Sequence, residues 1–281
     1  MPGLKVFIKR DDLIHPIVSG NKWRKLKYNL SSLHIEGLIS FGGAFSNHLH
    51  ALAYACHMRS LPLKAIVRGE PQYLDNPTLR DIHSWGAEII FVDRNSYRKR
   101  YDRDYLASLK KKYPTYKIIP EGGSNERGIR GVEELGLEIA EQFPDLEHLV
   151  LPVGSGGTIA GLVRSMPREV KIIGVSVGKE NYLEKMISKW MPEERPGNWK
   201  LDRRYHFGGF GHCPSNLRAF MQSMYPMLPL DVVYNAKGFY AFLQFVLMGT
   251  IDPAKSLYLH TGGLQGNRAY EYLYPGTLDW I

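Results

Sequence analysis

Apolar and β-branched residues recur along the chain in short runs: "KVFIK", "GLISFGG", "LKAIVRG", "AEIIFVD", "YKIIP", "LEHLVLPVG", "VKIIGVSVG", "LDVVY" and "KSLYLH". Amphipathic segments of helical period lie between most of them. Short apolar runs bounded by turn residues read as buried strands. Because parallel strands need long crossovers, usually helical, the alternation predicts mainly parallel sheets covered by helices on both faces. The expected class is α/β, as two three-layer αβα domains. No repeat and no Pro/Gly-rich linker divides the chain, so a second domain is expected as an insertion. The larger domain would take residues 1–25 and 130–281, and the smaller 26–129, with a site in the cleft between them. The stretch 191–216 is the least regular, and a loop of that length in an α/β protein is expected to serve the site.

A chain of 281 residues suits two lobes, and 44% hydrophobic residues suit a folded protein. No run approaches the roughly 20 apolar residues of a membrane-spanning helix, and "MPGLKVFIKRDD" lacks the apolar core of a secretory signal. A cytoplasmic location without a membrane partner is the expectation. Cys56 and Cys213 form no CxxC and have no histidine at metal spacing, so neither a disulfide framework nor a metal site is expected. The net charge of +8 raises the question of nucleic acid. Its densest run, "YRKRYDRDYLASLKKKY" (97–113), is interrupted by Asp102 and Asp104 and reads as a solvated helix face, with no nucleic-acid partner expected. A non-catalytic basic module using Arg98, Lys99, Arg100, Lys110, Lys111 and Lys112 is the rival reading.

Four glycine turns follow predicted strands: "FGGAFSNH" (41–48), "EGGSNERG" (121–128), "VGSGGTIAG" (153–161) and "HTGGLQG" (260–266). Strand ends that open through glycine into a helix converge backbone N–H groups on a ligand. The third turn offers Gly154, Ser155, Gly156, Gly157 and Thr158, small residues and hydroxyls ahead of "IAGLVRSM", as a phosphate dianion requires. It matches neither GxxxxGK[ST] nor GxGxxG, since Ile159 stands where the last glycine of the latter belongs. A phosphate-bearing cofactor that also needs a lysine is pyridoxal phosphate. "SGNKWRKLKY" supplies Lys22, Lys25 and Lys27 just past a turn, where they are either chemistry or an ordinary exposed face.

"SGNKWRKLKY", "GGAFSNHLHALA", "VGSGGTIAGL" and "LHTGG" stand in the order and approximate spacing of the tryptophan-synthase-β-like, fold type II pyridoxal phosphate enzymes. The chain most resembles the branch of 1-aminocyclopropane-1-carboxylate deaminase and D-cysteine desulfhydrase, over nearly its whole length. The resemblance implies pyridoxal 5'-phosphate held mainly by the larger domain, a small amino acid as substrate, and a homodimer. It implies Lys22 as the lysine that forms the imine and serves as base, with Lys25 adding a cation for a phosphate gripped by Gly154, Ser155, Gly156, Gly157 and Thr158. Asn47 would meet the ring hydroxyl, and Ser46 with the backbone of Asn47 and His48 would hold the substrate carboxylate. Thr261 would face the pyridine nitrogen and leave it largely unprotonated. Tyr234 matches a tyrosine near the substrate, as acid, base or nucleophile-positioner. Phe210, in "YHFGGFGH", stands where a second tyrosine is expected, which favours D-cysteine over the cyclopropane substrate. At position 235 the branch is expected to carry Glu or Thr, and here it is Asn.

One rival enzyme class has a formal match. Gly174 to Gly178 satisfy GxSxG, with Asp231 or Asp252 and then His260 in hydrolase order. Against it, "IIGVSVG" reads as a continuing strand and not as a nucleophile elbow. A protein that binds the cofactor without turnover is the remaining alternative, motivated by Phe210.

Overall fold

The computed structural model describes residues 4–31, 35–179, 181–191 and 197–281. In chain order, β1 (Phe7–Arg10) leads to α1 (Asn21–Asn29), and β2 (Gly37–Gly43) to α2 (Asn47–His57). Next come β3 (Leu63–Arg68), α3 (Pro77–Ser84), β4 (Glu88–Val92), α4 (Arg94–Arg98), α5 (Arg103–Lys112) and β5 (Tyr116–Ile119). Then follow α6 (Glu126–Gln142), β6 (His148–Val153), α7 (Gly157–Ser165), β7 (Lys171–Ser176), α8 (Leu183–Ser188) and β8 (Trp199–Asp202). The chain closes with α9 (Ser215–Met224), α10 (Asn235–Leu247), β9 (Ser256–His260) and α11 (Gln265–Leu273).

The strands form two sheets, ordered β1-β9-β6-β7-β8 and β4-β3-β2-β5, and every described pairing is parallel. The near-continuous apolar runs of β6, β7 and β9 are explained by burial on both faces. One face, through Val150, Ile173, Val175 and Tyr258, packs on Leu217 of α9 and on Phe239 and Phe242 of α10. The other, through Leu149, Leu151, Ile172 and Leu257, packs on Ile129 and Val132 of α6 and Ile159 of α7. The smaller sheet is also three layers deep: Leu38, Ala65 and Val67 pack beneath α2 and α3, while Ile39, Phe41 and Ile66 meet Tyr97 and Leu109. Its strands all come from residues 37–119, whereas the larger sheet draws on the chain to either side.

Three local expectations are corrected. "LDVVY" is no strand. The Asp231 carboxylate accepts the backbone N–H groups of Val233, Tyr234 and Asn235 at 3.0, 2.8 and 2.8 Å, which bends the chain into the start of α10. The irregular stretch 191–216 contains an edge strand, β8, whose polar "WKLD" gave no buried-strand signal. Residues 192–196 of that stretch lie outside the described residues. The basic run 97–113 is not one helix: Asp102 caps α5 by accepting from the Tyr105 N–H at 2.9 Å and separates it from α4. Lys110, Lys111 and Lys112 are exposed, as expected, but Arg100 is engaged by Glu121 at 2.6 Å.

Candidate active site

The C-terminal ends of β2, β6 and β9 carry glycine turns, and the start of α1 docks against them. Gly20, at φ +60°, lets this happen: a Cβ there would lie 1.9 Å from the Thr261 carbonyl oxygen, and the Asn21 N–H donates to that oxygen at 3.1 Å. Lys22 follows on the first turn of the helix, its Nζ donating to Asn21 Oδ1 at 2.7 Å. Burial lowers its pKa to about 8 against the upward pull of Asp231, so the neutral amine is accessible near neutral pH.

One turn on, Lys25 is buried, and burial with the nearby Lys22 charge lowers its pKa well below the ordinary value. Its Nζ donates to Ser124 Oγ at 3.1 Å and Gly122 O at 3.4 Å. Lys27 is an ordinary surface lysine paired with Glu134.

The β6–α7 turn closes on these groups. A Cβ on Gly157 would stand 2.6 Å from Ser124 Oγ and 3.0 Å from Lys25 Nζ, so a cation and a hydroxyl face bare backbone at the start of α7. Gly156 caps that helix in the left-handed region at φ +82°, and a Cβ on Gly154 would meet the Tyr234 ring at 2.9 Å. Ser155 Oγ lies 3.2 Å from Ser124 Oγ, and Thr158 Oγ1 accepts from Asn21 Nδ2 at 3.0 Å. The first-turn N–H groups of α7, its helix dipole and the adjoining Lys25 amine form a candidate anion site.

Across the cleft, Ser46 caps α2, its Oγ accepting from the Leu49 N–H at 3.2 Å and keeping its own proton available. The Asn47 amide oxygen accepts from Gln265 Nε2. Ser40 Oγ donates to Ile119 O at 2.8 Å and so accepts from His48 Nε2 at 2.8 Å. This leaves the buried His48 Nδ1 as an acceptor with no partner among the described residues. Burial and the charges of Lys22 and Lys25 hold the ring's pKa well below the usual imidazole value.

Thr261 is buried at the exit of β9, its N–H donating to Asn235 Oδ1 at 3.0 Å. Asn235 is wholly committed: its Nδ2 reaches Asp231 Oδ1 at 2.7 Å and Gly262 O at 2.8 Å, and its Oδ1 also accepts from Tyr258 Oη at 3.1 Å. It staples the β9 turn to α10 and has no donor or acceptor to spare for a ring. Tyr234 packs on Gly154 and meets Phe210 edge-on, with ring centroids 5.7 Å apart. Phe210 is itself 62% exposed.

The candidate residues of the three turns thus lie together around the start of α1. Sequence reasoning missed Ser124, although its turn had been singled out, and it missed Ser40 and Gln265, whose contacts depend on tertiary geometry. The hydrolase alternative fails on structure: Ser176 is the buried last residue of β7, its Oγ donating to Gly178 O at 3.1 Å, and the next helix among the described residues begins only at Leu183. No group of three or more His, Cys, Asp or Glu that could hold a metal occurs among the described residues.

Two parallel sheets, a lysine whose pKa burial lowers and an adjoining candidate anion site are the arrangement expected of an enzyme that condenses an amine with a phosphorylated aldehyde cofactor. Residues 1–201 match the family described as pyridoxal-phosphate dependent enzyme, and the chain belongs to it. A protein of Pyrococcus abyssi, provisionally named a 1-aminocyclopropane-1-carboxylate deaminase, is 30% identical over 94% of this chain and 86% of its own. The D-cysteine desulfhydrase of Klebsiella pneumoniae is 27% identical over 95% and 89%. The crystal structure of a deaminase homologue of the former kind superposes with a TM-score of 0.78 at 27% identity, over 96% of this chain and 88% of that one. The residues present fit the cofactor: bare backbone at Gly157 beside Lys25 suits its phosphate, and Lys22 suits its aldehyde.

Proposed function

We propose that this chain is a pyridoxal phosphate-dependent lyase that converts a small amino acid to a 2-oxo acid and ammonia. D-Cysteine is the preferred substrate, with loss of hydrogen sulfide, and 1-aminocyclopropane-1-carboxylate is the second. The observation that carries the choice is Phe210, which stands edge-on to Tyr234 where a second phenol would serve ring opening. Both named relatives support the reaction class.

In this reading the residues that form the two sheets act as two domains, 1–25 with 130–281 and 26–129, and the reaction takes place between them. Bound cofactor supplies the sink for electron density developed at the substrate α-carbon. Lys22 would hold the cofactor and, with its amine free, would take the α-proton, a role its lowered pKa suits. Lys25, Ser155, Thr158 and the backbone of Gly154, Gly156 and Gly157 hold the phosphate. Ser46 and the N–H groups of Asn47 and His48 orient the substrate carboxylate at the start of α2. Asn47 would donate to the cofactor's ring oxygen, and Thr261 would offer its nitrogen a neutral hydroxyl, which would keep the sink mild and favour elimination over transamination. Tyr234 would move a proton at the leaving group, with the Phe210 ring packed edge-on beside it.

A homodimer and a cytoplasmic location complete the proposal. The exposed Met227, Tyr272 and Leu273 support the former, and no described helix is long and apolar enough to cross a membrane. The test is 2-oxo acid release from D-cysteine, L-cysteine and 1-aminocyclopropane-1-carboxylate by the cofactor-loaded protein. D-Cysteine is expected to give the highest kcat/KM, and release from none of the three would overturn the assignment.

A further inference from the structure

A line of side-chain amides crosses from the helices of the smaller sheet to the cleft. Thr78, buried on α3, donates through Oγ1 to Gln265 Oε1 at 3.0 Å. This commits the oxygen of the Gln265 amide to Thr78 and turns its nitrogen toward Asn47, whose Oδ1 accepts from it. The Asn47 amide is thereby oriented as well. Its oxygen is taken, so Nδ2 is the end left facing the β9 turn, 2.5 Å from where a Cβ on Gly263 would stand. Gly263 has no Cβ and sits at φ +94°, so this donor looks onto bare backbone at the cleft. A primary amide flipped by half a turn would present an acceptor instead, and would repel an anionic oxygen at the same spot.

We propose that Gln265 is a positioning residue that, with Thr78, sets the polarity of the Asn47 amide so that it donates to the ring oxygen of the cofactor. The proposal rests on the reading of Asn47 given above. The line runs donor to acceptor throughout, from Thr78 to Gln265 and from Gln265 to Asn47, and would continue from Asn47 to the cofactor. The line also joins the two sheets, since Gln265 begins α11 beside β9 while Thr78 and Asn47 belong to α3 and α2. Three residues further along α11, Arg268 pairs with Asp81 of α3 at 2.7 Å, and Asp81 also takes His50 Nε2 of α2 at 2.9 Å. That second contact grips the same seam without touching Asn47, which makes it an internal control.

The experiment titrates cofactor-free parent, Thr78→Val, Gln265→Met, Gln265→Glu and Arg268→Gln with pyridoxal phosphate, and reads the dissociation constant and the absorption band of the bound form. Thr78→Val, which keeps the shape but lets Gln265 turn over, should weaken binding a few-fold. Gln265→Met should weaken it roughly tenfold, as loss of a part-buried hydrogen bond to a polar partner does. Gln265→Glu sets an acceptor against Asn47 Oδ1 and should weaken it most, with all three bands displaced from the parent's. Arg268→Gln, an exposed pair, should leave affinity and band unchanged. Parent-like affinity and band in both Thr78→Val and Gln265→Met would overturn the proposal. So would an Arg268→Gln defect equal to that of Gln265→Met, which would reduce Gln265 to a seam contact. A parent that takes up no pyridoxal phosphate would sink the reading of the site and the relay with it.

Discussion

Lys25 Nζ lies 3.1 Å from Ser124 Oγ, and the two together crowd the space where a side chain on Gly157 would begin. The buried Lys25 amine has thus been brought against the first turn of α7, with no carboxylate among its hydrogen-bond partners in the described residues. Burial costs the charged form heavily, and the pKa of Lys25 falls accordingly. An anion at this point supplies the counter-charge the lysine lacks.

Gly157→Ala should therefore cut affinity for pyridoxal phosphate by about tenfold or more, because the added methyl meets Ser124 Oγ at 2.6 Å and Lys25 Nζ at 3.0 Å. Titration of the cofactor-free variant, beside a measurement of its melting temperature, separates lost binding from lost fold.

The lowered pKa of Lys22 makes a prediction with a definite sign. Its folded value, about 8, lies below the ordinary lysine value of 10.5. Between those two values the unfolded chain binds the extra proton and the folded one does not, so this group's contribution to stability rises with pH across the window and is least favourable below about 8. In the cofactor-free protein, acylation of Lys22 followed by mass spectrometry should accelerate through about pH 8, while exposed Lys27, raised by Glu134, should not react until higher pH.

Asp231 is buried and accepts three backbone N–H groups at the start of α10. Asp231→Ala leaves those donors unpaired and should destabilise the fold by about 2–4 kcal/mol, read in a denaturant titration. It should also lower the Lys22 pKa further, since the Asp231 charge is what raises it.

Phe210→Tyr restores a hydroxyl at a ring that is 62% exposed, so the change costs little burial. Turnover of 1-aminocyclopropane-1-carboxylate should rise by about tenfold or more if proton transfer at that face limits it, with D-cysteine turnover changed little. Equal kinetics with both substrates before and after would refute the role given to the missing phenol.

Much of this was legible in the residues because the physics was local. Strands buried on both faces announce themselves as continuous apolar runs, and glycine turns before helices mark where β2, β6 and β9 end. Lys22 and Lys25 sit one turn apart in one motif, so the two could be read together as candidates. What escaped depended on distant partners. The strand expected at "LDVVY" was undone by one carboxylate collecting three amides, and polar β8 is a strand only because β7 lends it an edge. Asn235 suggested a departure at the cofactor ring, yet the structure spends every one of its polar atoms on Asp231, Gly262, Tyr258 and Thr261. Gln265 carried no signal in sequence, because its meaning comes from Thr78 and Asn47, 187 and 218 positions away.

The measurement that bears most directly on the account is the near-ultraviolet and visible spectrum of the protein incubated with pyridoxal phosphate, beside Lys22→Ala treated alike, before and after addition of D-cysteine. The account predicts a yellow band in the parent that D-cysteine perturbs, and loss or displacement of that band in the variant. A parent that remains colourless, or a band indifferent to the loss of Lys22, would contradict it.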